Sequence, residues 1–249
     1  MDVLSGGGAA APQGVEAGQG FQWWARGWAL FMRQPGWWVV LGLVFSVLVI
    51  LVSAVVPLLG ALAAALVTPA LVAGFMLAAR KVQGGGTLEI GDLFAAFRGP
   101  RLTPLLVLGA LLAVAAAVLG FVAGALGLGA VFGVAAGGMA GSVGGVMAGV
   151  GAGMLGLLVS LLFGAILGMV FWFAPALVVF RGVEPVAALK ASFDASLKNI
   201  VPFLLYSVVY FVVAFVASIP FGLGWLVLVP VMLLTVYVSY EDVFGRWDA

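Results

Sequence analysis

Residues 127–153 read GLGAVFGVAAGGMAGSVGGVMAGVGAG, and they lie inside a longer run, Leu102 to Phe180, of 79 residues without one Asp, Glu, Lys or Arg. A run of that length without charge is the signature of a chain dissolved in a bilayer. Within it Gly129, Gly133, Gly137, Gly141, Gly145, Gly149 and Gly153 recur at every fourth position, a small-xxx-small ladder of the kind that lets helix backbones approach inside a membrane. Each Gly in a helix interior costs roughly 1 kcal/mol relative to Ala, so seven in register are expected to return that cost through close packing. Four residues advance about 40° beyond one turn of 3.6, so the stripe winds slowly round its helix and suits a right-handed crossing. The other reading of the same glycines is drift in a Gly/Ala-rich insertion, with several of them in loops.

The whole chain shares this character. Of its 249 residues 65% are hydrophobic and 8% charged, with a mean hydropathy of +1.31, figures that exclude a soluble domain. A net charge of +1 without a dense basic cluster gives no reason to expect a nucleic-acid partner. Cys and His are both missing, which removes disulfides, thiol nucleophiles, imidazole bases and ordinary zinc or haem ligation; no cofactor is expected. Residues 1–20 lack a basic segment followed by an apolar one, so they do not read as a cleavable signal peptide. They read as a disordered tail, with residues 21–249 forming one integral membrane domain.

The charged residues sort into four clusters separated by three charge-free runs, Gln34 to Ala79, Leu102 to Phe180 and Asn199 to Tyr240. A span needs about 20 apolar residues, so the first and third runs each hold two helices, with turns at Pro57 to Gly60 and Ser218 to Gly224. Gly36–Val56, Leu59–Ala79, Thr103–Leu126, Gly151–Ala174, Ile200–Ala217 and Trp225–Tyr240 are the expected spans, an all-α polytopic bundle of three hairpins. The surplus at 127–150 extends two helices, folds back as a re-entrant piece, or adds spans. Because every Lys and Arg falls between runs or at a terminus, the positive-inside rule places that face and both termini in the cytoplasm.

Each hairpin is preceded by an amphipathic segment. Phe21, Trp24, Trp28 and Phe31 stand against Gln22, Arg26 and Arg33, and these tryptophans with Trp37 and Trp38 suit an interfacial belt. Ile90, Leu93, Phe94 and Phe97 share one helical face, as do Val186, Leu189, Phe193 and Leu197, opposite which Lys190, Asp194 and Lys198 are spaced for i, i+4 pairing. FMRQPGWWVVL, FRGPRLTPLLVL and SLKNIVPFLLY then suggest a three-fold internal repeat, the middle copy enlarged by the Gly-rich insertion at about 127–153.

The blocks AGQGFQWWARGWALFMRQPGWW, LTPALVAGFMLAAR, LEIGDLFAAFR, WFAPALVVF, ALKASFDASLKNIVPFLLYS and ASIPFGLGWLVLVPV, with the closing YVSYEDVFG, resemble an uncharacterised family of bacterial inner-membrane proteins. The helix layout is also similar to the membrane domain of glycerophosphodiester phosphodiesterases. The resemblance implies a multi-pass protein of the bacterial inner membrane and carries no functional residue, and the Gly ladder departs from it as an expansion.

Candidate chemistry rests on the carboxylates outside the spans. Adjacent Glu241 and Asp242 are hard oxygen donors suited to a divalent cation, although such a pair is more often a solvated helix end. Ser46, Ser53, Thr68, Ser160, Ser207 and Thr235 would line a polar path if they did not bond their own backbone. Tyr206 and Tyr210 share a face of the fifth span, and Pro69, Pro175 and Pro230 fall where they kink helices. Arg26, Arg33, Lys190 and Lys198 are the expected membrane-surface contacts. No span holds an ionisable residue, the usual mark of transport. The expectation is therefore a non-catalytic binding or assembly protein that engages membrane lipids, with copies associating through the Gly ladder; a transporter or channel for a neutral or lipidic solute is the alternative, and an intramembrane enzyme ranks last.

Overall fold

Six stretches are long and apolar enough to cross a bilayer: Pro35–Ala54, Leu59–Gln83, Leu102–Met139, Val143–Arg181, Ile200–Ser218 and Trp225–Phe244. They come from a computed structural model that describes residues 11–55 and 59–246. In chain order the elements are α1 (Gln19–Phe31), α2 (Pro35–Val55), α3 (Leu59–Gln83), a 3₁₀ helix (Ile90–Arg98), α4 (Leu102–Met139), α5 (Val143–Phe171), α6 (Ala174–Arg181), α7 (Pro185–Lys198), α8 (Ile200–Ser218) and α9 (Trp225–Phe244). No strand occurs among the described residues, and the chain is a polytopic helical bundle. The charged clusters and the short helices all gather at one end, hereafter the charged end. The turn expected at Pro57 to Gly60 falls partly outside the described residues.

At the centre stands α9, buried along most of its length against α1, α2, α3 and α8. Its proline is accommodated by a glycine on a neighbour, since a Cβ at Gly42 of α2 would lie 2.8 Å from Pro230 Cδ. Fully buried Trp23, Trp38, Phe75, Phe173, Tyr240 and Phe244 concentrate the core at the charged end.

The surplus in the middle run is continuous helix. Helix α4 has 38 residues, about 57 Å at 1.5 Å per residue, close to twice the roughly 30 Å hydrocarbon layer. One turn joins it to α5: Gly141 takes φ +61°, and Ser142 caps α5 by accepting a 3.1 Å hydrogen bond from Gly145 N. The re-entrant and extra-span alternatives are thereby set aside, and the spans expected at Thr103–Leu126 and Gly151–Ala174 are parts of longer helices.

Helices α8 and α9 form a V. They meet far from the charged end, where a Cβ on Gly224 would lie 2.8 Å from Ala217 Cβ. Toward the charged end they part, and α1 crosses between them, packing against each more extensively than they pack against one another.

Several local expectations are corrected. Residues 12–20 belong to the folded body and not to a disordered tail: Gln13 N donates to Val243 O (2.8 Å), Val15 N to Asn199 Oδ1 (2.8 Å), and Asn199 Nδ2 to Gln13 O (3.0 Å). A buried Asn draws the segment in because its amide needs partners; residues 1–10 lie outside the described residues. The second amphipathic segment is 3₁₀, whose three-residue period puts Leu93 and Ala96 together on the buried side, while Ile90, its first residue, is exposed and Phe94 and Phe97 are half-buried. Gly74 of α3 permits this by letting the Leu93 backbone rest directly on it. On α7 the buried side is small and polar: Ser192 Oγ accepts from Phe173 N (3.0 Å) and donates to Met169 O (2.8 Å), satisfying backbone groups at the break between α5 and α6. Val186 and Leu197 point outward. Nor does Trp38 join an interfacial belt, for it is buried against Phe75 and donates to Leu30 O (3.3 Å).

Candidate functional site

Helix α1 carries three faces. Gly20, Trp23, Trp24, Gly27, Leu30 and Phe31 are buried; Phe21, Ala25, Trp28 and Met32 form an exposed apolar stripe; Gln22, Arg26, Ala29 and Arg33 form an exposed polar one. A two-faced pattern was expected, and the difference comes from glycine. Gly20 rests on Pro202 O, and a Cβ at Gly27 would lie 2.8 Å from Thr235 Cγ2, so one side of α1 sinks between α8 and α9. Trp24 then stacks on Tyr206 at 5.0 Å and donates its Nε1 hydrogen to Tyr206 O (3.2 Å). The polar stripe is left at the charged end and the apolar stripe faces outward, the disposition of a helix lying at a membrane surface.

Glu241 and Asp242 sit beneath this helix, and each accepts hydrogen bonds from neighbouring elements. Asp242 accepts from Trp23 Nε1 (2.9 Å) and from Arg26. Glu241, 8% exposed, accepts from Gln83 Nε2 (2.9 Å) and Arg246 Nε (3.3 Å), with Tyr237 OH 3.1 Å away and Arg26 Nη2 at 3.8 Å. The pair closes the charged end by joining α1, α3 and the end of α9. Arg181 adds a clasp from α6, donating to Tyr240 OH (2.9 Å) and to Phe244 O and Gly245 O.

The four expected surface cations are not equivalent. Arg26 is answered by Asp242 and Glu241. Arg33 donates only to the α3 carbonyls of Val82 and Gln83, both at 3.3 Å, and meets no carboxylate among the described residues. These two arginines line one polar cavity of about 170 Å³ together with Ala29, Leu30, Gln83 and Val238. Lys190 and Lys198 stand apart on α7. The i, i+4 pairing expected with Asp194 does not form; Lys198 Nζ donates instead to Pro12 O (2.9 Å), and Lys190 is exposed.

Hydroxyls within the spans are turned onto backbone. Ser46, Ser53, Thr68, Ser160 and Ser207 each donate to the carbonyl four residues earlier at 2.7 to 2.8 Å. Thr235 donates to Met232 O (2.7 Å) and therefore accepts from Tyr206 OH (2.9 Å), a closed pair. Tyr210 is packed edge-on to Phe211 rather than sharing that pair.

Of the ladder glycines, Gly133 approaches Gly149 and Gly137 approaches Gly145 across the α4–α5 hairpin; a Cβ at Gly153 would lie 3.3 Å from Ala130 Cβ. Gly129 meets nothing, and Gly141 is the turn. Sequence reasoning missed Trp23, Gln83 and Asn199, the side chains that join distant segments here. Asn199, fully buried between two charged-end helices, follows Lys198 in sequence, and that neighbourhood disguised it as part of a solvated cluster.

No solved structure matches the chain. A probable inner membrane protein of Burkholderia thailandensis is 33% identical over 218 residues, covering 84% of this chain and 78% of the relative. The model of a domain of unknown function, DUF7847, matches residues 30–244, which takes in all six spans, and the chain belongs to that family of membrane proteins.

Proposed function

We propose that the chain is a non-catalytic protein of the bacterial inner membrane, with its charged end and both termini in the cytoplasm, which holds anionic lipid at that end. The observation that carries this reading is Arg33. It lies on the polar stripe of a surface helix, in a cavity with Arg26, and lacks a carboxylate partner among the described residues. An anionic headgroup supplies what the protein does not, because guanidinium binds phosphate through paired charge-assisted hydrogen bonds. The inward orientation follows from the confinement of basic residues to this end.

Catalysis and transport find less support. Glu241 and Asp242 are engaged by donors, and the span hydroxyls bond to backbone or to each other, which gives less support to a base at that pair or to a polar path along those hydroxyls. Gly133, Gly137, Gly145 and Gly149 pack within one hairpin, so association of copies through the ladder is not part of the proposal. The test is native mass spectrometry of protein extracted in mild detergent. Arg33→Gln combined with Lys190→Gln is expected to lower retained anionic phospholipid at least tenfold while insertion is unchanged; retention equal to wild type would contradict the proposal.

A further inference from the structure

Resting on that reading, we propose that one anionic phospholipid straddles α1, with an acyl chain in the V between α8 and α9 and its phosphate at Arg33. The V encloses a groove of about 390 Å³, within the usual range of ligand sites. Trp24 and Trp28 close it toward the charged end, Val209 and Val213 wall it on α8, and Val227 and Val231 on α9. At the other end Ala217 and Gly224 touch. Its lining is wholly apolar, and its α8 and α9 walls lie in the charge-free run Asn199 to Tyr240. Water has no partners there, and an empty groove would forfeit dispersion contacts along every wall.

The shape selects the occupant. From Val209 to Ala217 the groove runs about 12 Å at 1.5 Å per residue, shut at the apex and crossed by α1 at its mouth. A helix with its side chains is about 10 Å across and cannot enter a wedge so short and closed. A flexible methylene chain can.

Across α1 the polar cavity presents Arg33. Ala25 lines the groove and Ala29 lines the cavity; they are one turn apart and both exposed, so they form a low saddle between the two sites. An apolar tail, a narrow backbone and an anionic head match groove, saddle and cavity in turn. Free phosphate would satisfy only the cavity, and an uncharged hydrocarbon only the groove.

The test uses the full chain in detergent micelles doped with phosphatidylglycerol, read by native mass spectrometry, together with phosphatidylglycerol bearing a photoreactive diazirine in its acyl chain. Val213→Trp, which fills the groove, and Arg33→Gln are each expected to cut retained phosphatidylglycerol about tenfold. Ala25→Leu, at an exposed position, is expected to do the same by raising the saddle, and serves if Val213→Trp does not fold. In wild type the diazirine is expected to label peptides within 209–231. Labelling elsewhere, or retention by Val213→Trp and Ala25→Leu equal to wild type, would overturn the site while leaving lipid binding standing. If glycerol 3-phosphate is held as firmly as the lipid, the cavity is an anion site alone and the straddling lipid is wrong. Failure of wild type to retain any phosphatidylglycerol would overturn both this site and the broader reading.

Discussion

Gly137 and Gly145 face each other across the α4–α5 hairpin so closely that a Cβ on Gly145 would lie 2.8 Å from Gly137 Cα. Close approach of this kind is what small residues contribute to helix packing, since they let two backbones meet without intervening side chains. Gly145→Leu should therefore pry the hairpin apart and destabilise it by about 1 to 3 kcal/mol, the usual scale of overpacking. Gly129→Ala, where a Cβ meets nothing, should be neutral or stabilising by up to about 1 kcal/mol through helix propensity. Thermal unfolding of the two variants in detergent checks this; equal melting points would contradict it.

Gly141 should respond for a different reason. Its φ of +61° at the hairpin turn is a conformation that a β-branched residue adopts only with strain. Gly141→Val is expected to lower stability by about 1 to 2 kcal/mol, whereas Gly141→Asn should cost less than Val, because Asn tolerates the left-handed region. The ranking of their melting temperatures decides it.

Gly27→Leu should expel α1 from between α8 and α9, since a Cβ there would already lie 2.8 Å from Thr235 Cγ2. The stack of Trp24 on Tyr206 would be lost with it. Limited proteolysis at residues 12–33 should become at least severalfold faster than in wild type, and an unchanged rate would show that α1 stays in place.

Asn199→Ala should free the segment that precedes α1. Its amide accepts from Val15 N and donates to Gln13 O and Ala195 O, and loss of a buried hydrogen-bonding side chain leaves partners unsatisfied at about 1 to 3 kcal/mol. Hydrogen exchange at Gln13 and Val15 should accelerate while α9 stays protected; protection unchanged at Val15 would contradict the role given to Asn199.

Much of the fold is legible in the sequence because charge is excluded from the hydrocarbon by a large free energy. Three charge-free runs and their lengths yield six spans with ends correct to within a few residues in the first and third hairpins. The middle hairpin resists that reading, since a helix extending beyond the bilayer and a re-entrant loop share one composition. Faces of the short helices are less legible. The side of α1 that is buried is set by Gly20 and Gly27, which permit contact with Pro202 and Thr235, and no periodicity of apolar residues announces a glycine contact. The same holds for Gly42 against Pro230 and Gly74 against Leu93. At the candidate site the basic residues could be named in advance, but not which of them is left without a carboxylate. That depends on Asp242 and Glu241 turning toward Arg26, a long-range relationship across more than 200 positions that local sequence does not encode.

The most direct test of the central claim is lipid selectivity of the unmodified protein. Protein reconstituted into bilayers of equal parts phosphatidylglycerol and phosphatidylethanolamine, then extracted in mild detergent, should retain phosphatidylglycerol in clear excess over its share of the bilayer, and the vesicles should show no protein-dependent solute flux or lipid flipping. Retention in proportion to the bilayer, or reproducible flux slowed by Tyr206→Phe or Thr235→Val, would contradict the account.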